Sequence, residues 1–183
     1  MSEVKTDKLS PRTASGTVTL GTSGDTFSIP SGVTVSGLTT GKVLQVLSMT
    51  YSAETYSTSA TFADTGLTLA ITPSATSSKV FVLAQIKTNG QLAGTSGIGG
   101  KVGLQILKDT SIIYGPINTA ISYDNSGSNF LRQDQNWNQL QYLDSPSTTS
   151  ATTYKLQFSA VGNSAWANAD NEMGIFTLME IGA

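Results

Sequence analysis

The chain contains neither cysteine nor histidine. The first absence removes disulfides, on which small secreted domains usually rely. Together the two remove Ser-His-Asp and Cys-His catalysis and the ordinary ligands of zinc. Charge is scarce as well: 12% of 183 residues are charged, for a net −2, about half the usual share. No basic patch points to nucleic acid or an anionic membrane. No run of about 18 apolar residues exists to span a bilayer. The opening "MSEVKTDKLSPRTASG" has no apolar signal-peptide core, and no N-x-[ST] acceptor occurs. The chain is therefore expected to be made in a cytoplasm and not exported by the usual route.

Serine and threonine fill the place of the missing charges, at about a quarter of all residues. Thr suits strands and Ser suits turns, so the composition is all-β. A surface so poor in charge suits a protein covered by copies of itself.

Two unequal parts are expected, 1–41 and 42–183. The first holds short alternating runs, Val18 and Leu20, Phe27 and Ile29, Val33 and Val35, between Gly- and Pro-rich turns. So few apolar side chains cannot form an independent core. The segment is either a loose tail or one that folds only against copies of itself. The second part reads as strands. "KVLQVLSM" (42–49) and "KVFVLAQI" (79–86) are apolar on both faces, as in strands buried between layers. "LTLAI" (67–71), "KVGLQIL" (101–107) and "YKLQFSAV" (154–161) alternate, and "GIFTLMEI" (174–181) closes the chain as a mostly buried strand. "KDTS" before "IIYG" signals a hairpin. Helices are few. The expected fold is an antiparallel β-sandwich of the jelly-roll kind. Three polar, Gly- and Asn-rich stretches, 88–100, 122–139 and 162–172, are expected as long recognition loops.

Chemistry is thin. "GTSGIGGKVG" fails as a phosphate loop, because its Gly spacing is wrong and Val102 stands where Ser or Thr should bind magnesium. "NADNE" (168–172) offers oxygens but lacks the Gly and spacing of an EF-hand. Scattered carboxylates do not make a glycosidase pair from sequence alone. The expectation is no enzyme, no cofactor and no metal. Trp137 and Trp166 each sit among amides and carboxylates. Each either anchors its segment on the protein or offers a ring face to a sugar. In the second case Trp137 stacks, Asn136, Asn138 and Gln139 bond hydroxyls, Asp134 accepts from them, and Trp166 lines a second part of the site.

"VKTDKLSPRTASGTVTLGTSGDTFSIPSGVTVSG" resembles the N-terminal segment of virion structural proteins of tailed bacteriophages, especially marine and cyanobacterial phages. "GKVLQVLSMTYSAETYSTSATFADTGLTLAITPSATSSKVFVLAQI", "DSPSTTSATTYKLQF" and the closing "TLMEIGA" are similar to the globular C-terminal domains of such fibre-like proteins. The resemblance implies a homotrimer with an intertwined N-terminal β segment and a jelly-roll head of the tumour-necrosis-factor/C1q type. It implies a virion location, contact with other virion proteins through the N-terminal segment, and a host cell-surface glycan as further partner. A capsid decoration, cement-like or tail accessory protein with no receptor is the alternative. The family's motifs supply no catalytic residue.

Overall fold

Strict alternation sorts most of the strands into a core face and an outer face. In the computed structural model the described residues are Thr26, 42–94, 101–119 and 130–182, the side chains of 92–94 and 130–134 excepted. The chain divides into two units, Met1–Leu38 and Thr39–Ala183. The expected N-terminal β segment lies outside the described residues. Every described strand belongs to the second unit.

Ten strands succeed one another: β1 (Lys42–Tyr51), β2 (Thr55–Ser57), β3 (Ala63–Ile71), β4 (Lys79–Gly94), β5 (Lys101–Lys108), β6 (Ser111–Thr119), β7 (Phe130–Asp144), β8 (Thr152–Val161), β9 (Ser164–Ala167) and β10 (Gly174–Gly182). All pairings are antiparallel. The smaller sheet has the order β3-β8-β5-β6. In the larger sheet β4 pairs with β7 along one side. Along its other side it pairs first with β10, which carries β1, and then with β9, which carries β2. With the short β2 and β9 set aside, the eight main strands run 1-8-3-6 in one sheet and 2-7-4-5 in the other, a jelly roll. The protein is an all-β sandwich of two antiparallel sheets, as the strand pattern leads one to expect.

The core lies between the sheets. Val80, Val82, Ala84 and Ile86 of β4 meet Phe176 and Leu178 of β10 on the larger sheet's inner face. Val102, Leu104 and Ile106 of β5 and Tyr154, Leu156 and Phe158 of β8 face them from the smaller sheet. On β5 and β8 these are the positions the alternation assigns inward, while β4 and β10, expected to be buried on both faces or nearly so, bury one face only here. Ser159, expected outward, is buried instead: Gly103 pairs with it and leaves it room where a larger residue would not. Two irregularities bend the smaller sheet. Gly66, at φ 90°, sits in the β3 bulge, where any Cβ would run into the Tyr51 ring. Gly115, at φ 96°, sits in the β6 bulge, where a Cβ would stand 2.7 Å from the Leu104 carbonyl oxygen. Both backbones favour glycine. The β5–β6 hairpin closes through Asp109 at φ 53°, at the expected place.

Several expectations change. Residues 88–94 are not loop, because β4 continues to Gly94 against β7. Residues 130–139 are strand, paired residue by residue with β4. Their polarity misleads because this end of β7 is solvated on both faces, Gln135, Asn136 and Trp137 all being exposed. Within 162–172 lie β9 and a 3-10 turn, Ala169–Asn171. Strand β1 is not enclosed between layers: it pairs with β10 alone, and Val43 and Val46 are 56% and 54% exposed.

Two polar bridges tie the layers together. The Tyr154 hydroxyl donates to Asp144 Oδ2 at 2.7 Å, and Lys108 Nζ lies 3.1 Å from the same oxygen. This joins β8 and β5 to the end of β7 across the sandwich. The second bridge is Glu180, buried on the inner side of β10. The Ser74 backbone N–H and hydroxyl donate to its Oε1 at 2.7 and 2.6 Å, and Gln45 Nε2 donates to Oε2 at 2.7 Å. The same Gln45 Nε2 donates to the Thr72 carbonyl at 2.8 Å. One carboxylate therefore pins the β3–β4 turn onto β1 and β10. Burial alone would push its carboxyl up, but the bonds from Ser74 and Gln45 outweigh that and hold it down from 4.5 to about 2.

Stability linked to a depressed carboxyl is complete above the unfolded value and lost as pH falls through the folded one. The unfolding midpoint is expected to fall as pH drops from 4.5 towards 2. Glu180→Gln should be less stable at neutral pH and flatter over that window. Chemical denaturation as a function of pH checks both; parallel curves for the two proteins would contradict the assignment.

Candidate functional site

The register of the larger sheet defines its outer face. Lys79, Phe81, Leu83, Gln85 and Lys87 of β4 point away from the core, since the residues between them are buried. Each outward residue has outward partners on the neighbouring strands. Val46, Met179, Phe81 and Leu143 form one row across β1, β10, β4 and β7. Val43 pairs with Ile181 beside it, and Ile175 with Gln85 beyond. Leu143 is 48% exposed, and Phe81 and Met179 are half-buried. Between Lys79 and Lys87 the outward positions of these four strands carry no charged residue. Among the described residues this apolar row lies open to solvent at both of its ends, at Val46 and Leu143.

The character changes at Lys87. Trp137 pairs with it from β7 and is 51% exposed. Two residues further along β4, Asn89 is flanked by Gln135 on one side and Trp166 on the other, and Tyr56 of β2 lies beyond Trp166. The Tyr56 and Trp166 rings are 4.9 Å apart and tilted by 50°. Lys87 Nζ donates to Asp170 Oδ2 at 2.7 Å and lies 4.0 Å from Glu172. The bond from Lys87 holds the Asp170 carboxyl below the usual range, with a smaller contribution from Gln135.

Of the residues the sequence singles out, Trp137, Gln139 and Trp166 share this outer face. Asn136 and Asn138 do not. They alternate to the core side of β7, where Asn138 Nδ2 donates to Thr88 Oγ1 at 2.7 Å. Asp134 stands opposite Gly90 in the register. Sequence neighbours in a strand face opposite ways, so a site built from 134–139 as one loop is not what the fold brings together. Lys87, Asn89 and Tyr56 do not stand out in the sequence. Their signal comes only through pairing, as each is remote in sequence from the tryptophans.

Most polar groups of the 168–172 stretch are engaged within the protein, while Asn168 Oδ1 is buried without a partner among the described residues. Asn168 Nδ2 donates to the Ala53 and Thr65 carbonyls at 3.1 and 2.9 Å. The Asp170 N–H donates to Glu54 Oε2 at 2.8 Å, and the Glu54 N–H to Asn171 Oδ1 at 3.3 Å. Among the described residues no three acidic side chains converge as metal ligands, and no helix is long and apolar enough to cross a membrane. No family model matches the chain, and no curated protein matches it at a significant level.

The two tryptophans should behave differently on truncation. Trp137→Ala removes an exposed ring and is expected to change stability by no more than about 0.5 kcal/mol. Trp166→Ala empties a half-buried site and breaks the contact with Tyr56, for a loss of about 1–3 kcal/mol. Urea unfolding of the two variants measures this, and equal losses would contradict it.

Proposed function

We propose that this chain is a virion structural protein of a tailed bacteriophage: a homotrimeric fibre or fibre tip whose sandwich forms the head. Residues 1–41 attach it to other virion proteins, and the head engages a host-surface glycan. One observation supports the self-association: the charge-free apolar row Val46–Met179–Phe81–Leu143 across four strands, left uncovered by the described residues. Burying such a face between copies removes apolar area from water at about 25 cal/mol per Å². Depletion of charge is the mark of an interface core. The low overall charge, 12% of residues, agrees with it. Specificity and valency then stand in for catalysis, because three equivalent weak sites act together. A capsid decoration or tail accessory protein would use the same apolar face and lack the glycan contact.

Light scattering on a size-exclusion column is expected to give about three times the 19.1 kDa chain mass. Val46→Glu, at the β1 end of a row that tolerates no unpaired charge once covered, should shift the protein to monomer while the isolated head stays folded. A monomeric wild-type protein at micromolar concentration would contradict the reading.

A further inference from the structure

We propose that the polar end of the larger sheet's outer face is a binding site for a neutral oligosaccharide, with two aromatic platforms and a buried acceptor between them. The inference rests on the glycan-binding role proposed above and names its site and ligand class.

The platforms come from strands on opposite sides of β4. Trp137 is placed by its pairing with Lys87, and Trp166 by its pairing with Asn89. Two strand spacings and a two-residue offset put their Cα atoms about 12 Å apart on one face. That span exceeds one sugar ring, so the fitting ligand is a chain of sugars. Trp137 has half its surface free, and Tyr56, 56% exposed, extends the second platform. Both platforms stand on strands, which hold ring orientation better than loops do.

Asn89 supplies the independent sign of a ligand. It is 6% exposed, at the floor between the platforms, and its Oδ1 is buried with no hydrogen-bond partner among the described residues. A buried acceptor left unpaired is costly, and its complement is a donor, which a sugar hydroxyl is. An apolar neighbour packed here would leave it unsatisfied. This separates the polar end from the charge-free row of the same sheet.

The charges choose among sugars. Lys87 is already neutralised by Asp170, and Glu172 stands 4.0 Å from it. Glu54 joins them through the Asp170 N–H. The rim therefore holds three carboxylates against one ammonium and disfavours sialic or uronic acids. A neutral hexose chain meets no such penalty. Its apolar ring faces stack on the indoles, and its hydroxyls reach Asn89 and Gln135.

The test uses the full chain and a surface printed at equal density with neutral gluco-, galacto- and manno-oligosaccharides, their monosaccharides, and sialylated and uronic counterparts. Titration in solution follows tryptophan fluorescence. At least one neutral oligosaccharide series should bind, more tightly than its monosaccharide and than its acidic counterpart. Trp137→Ala and Tyr56→Ala should each weaken it about 5–10-fold with unchanged assembly mass, Trp137→Ala also leaving the unfolding midpoint unchanged. Asn89→Leu, which removes the acceptor while keeping bulk, should weaken it further. No binding to any neutral series, preference for acidic sugars, or binding indifferent to Trp137→Ala would overturn the proposal. Mass is measured on the same samples. A trimer that binds no sugar overturns the glycan role and this site together, sugar binding that Trp137→Ala leaves intact or that prefers acidic sugars overturns this site alone, and a monomer that binds sugar overturns the assembly alone.

Discussion

Strand β4 carries apolar side chains on both faces, and the described residues cover only one of them. Val80, Val82, Ala84 and Ile86 are sealed against the smaller sheet, while Phe81 and Leu83 look outward beside Met179 and Leu143. A sheet with one face in the core usually solvates the other with polar residues. Here Phe81 and Leu83 interrupt that pattern on β4, although Thr177 and Gln141 flank Leu83, with Ser48 beyond Thr177. The rest of the larger sheet depends on that uneven outer face. The apolar stretch needs a cover, and the polar stretch beyond it stays available for something else.

The length of β4 makes the division possible. Sixteen residues extend about 50 Å at roughly 3.3 Å per residue, so one strand carries two surfaces of different character. β10 and β1 flank its first part, and β9 and β2 flank its second. The change of neighbour coincides with the change of chemistry. On the first part the neighbours add Met, Ile and Val. On the second they add Trp166 and Tyr56, with Lys87 and Asp170 fixing the rim. The Asn168–Asn171 turn, with left-handed backbone at Asn168, Asp170 and Asn171, holds Asp170 where Lys87 can reach it. The Asp170 carboxylate and the Asn171 amide oxygen of that stretch thus hold Lys87 and the Glu54 N–H.

Periodicity makes the inner half of this fold legible. Leu67, Ile71, Val102, Leu104, Ile106, Tyr154, Leu156 and Phe158 fall inward where their alternation puts them. The outer half is not legible in the same way. "KVLQVLSM" reads the same whether its second face meets another layer of its own chain or another molecule, and β1 is paired on one side only. "DQNWNQLQY" reads as loop because amides dominate it, although its period of two is clear once Leu140 and Tyr142 are seen to face Ala84 and Val82. The tryptophans stand out as an aromatic pair among amides. Their common face does not, because it is created by two different strands pairing with β4 from opposite sides.

In the native assembly the apolar stretch of the outer face should be covered while its polar end is not. The absence of native cysteine makes thiol labelling a direct measure. Single substitutions Val46→Cys and Leu143→Cys should react with a soluble thiol reagent far more slowly in the native protein than when unfolded. Gln135→Cys, at the polar end, should react nearly as fast in both. Equal, rapid labelling of all three in the native protein would contradict the account.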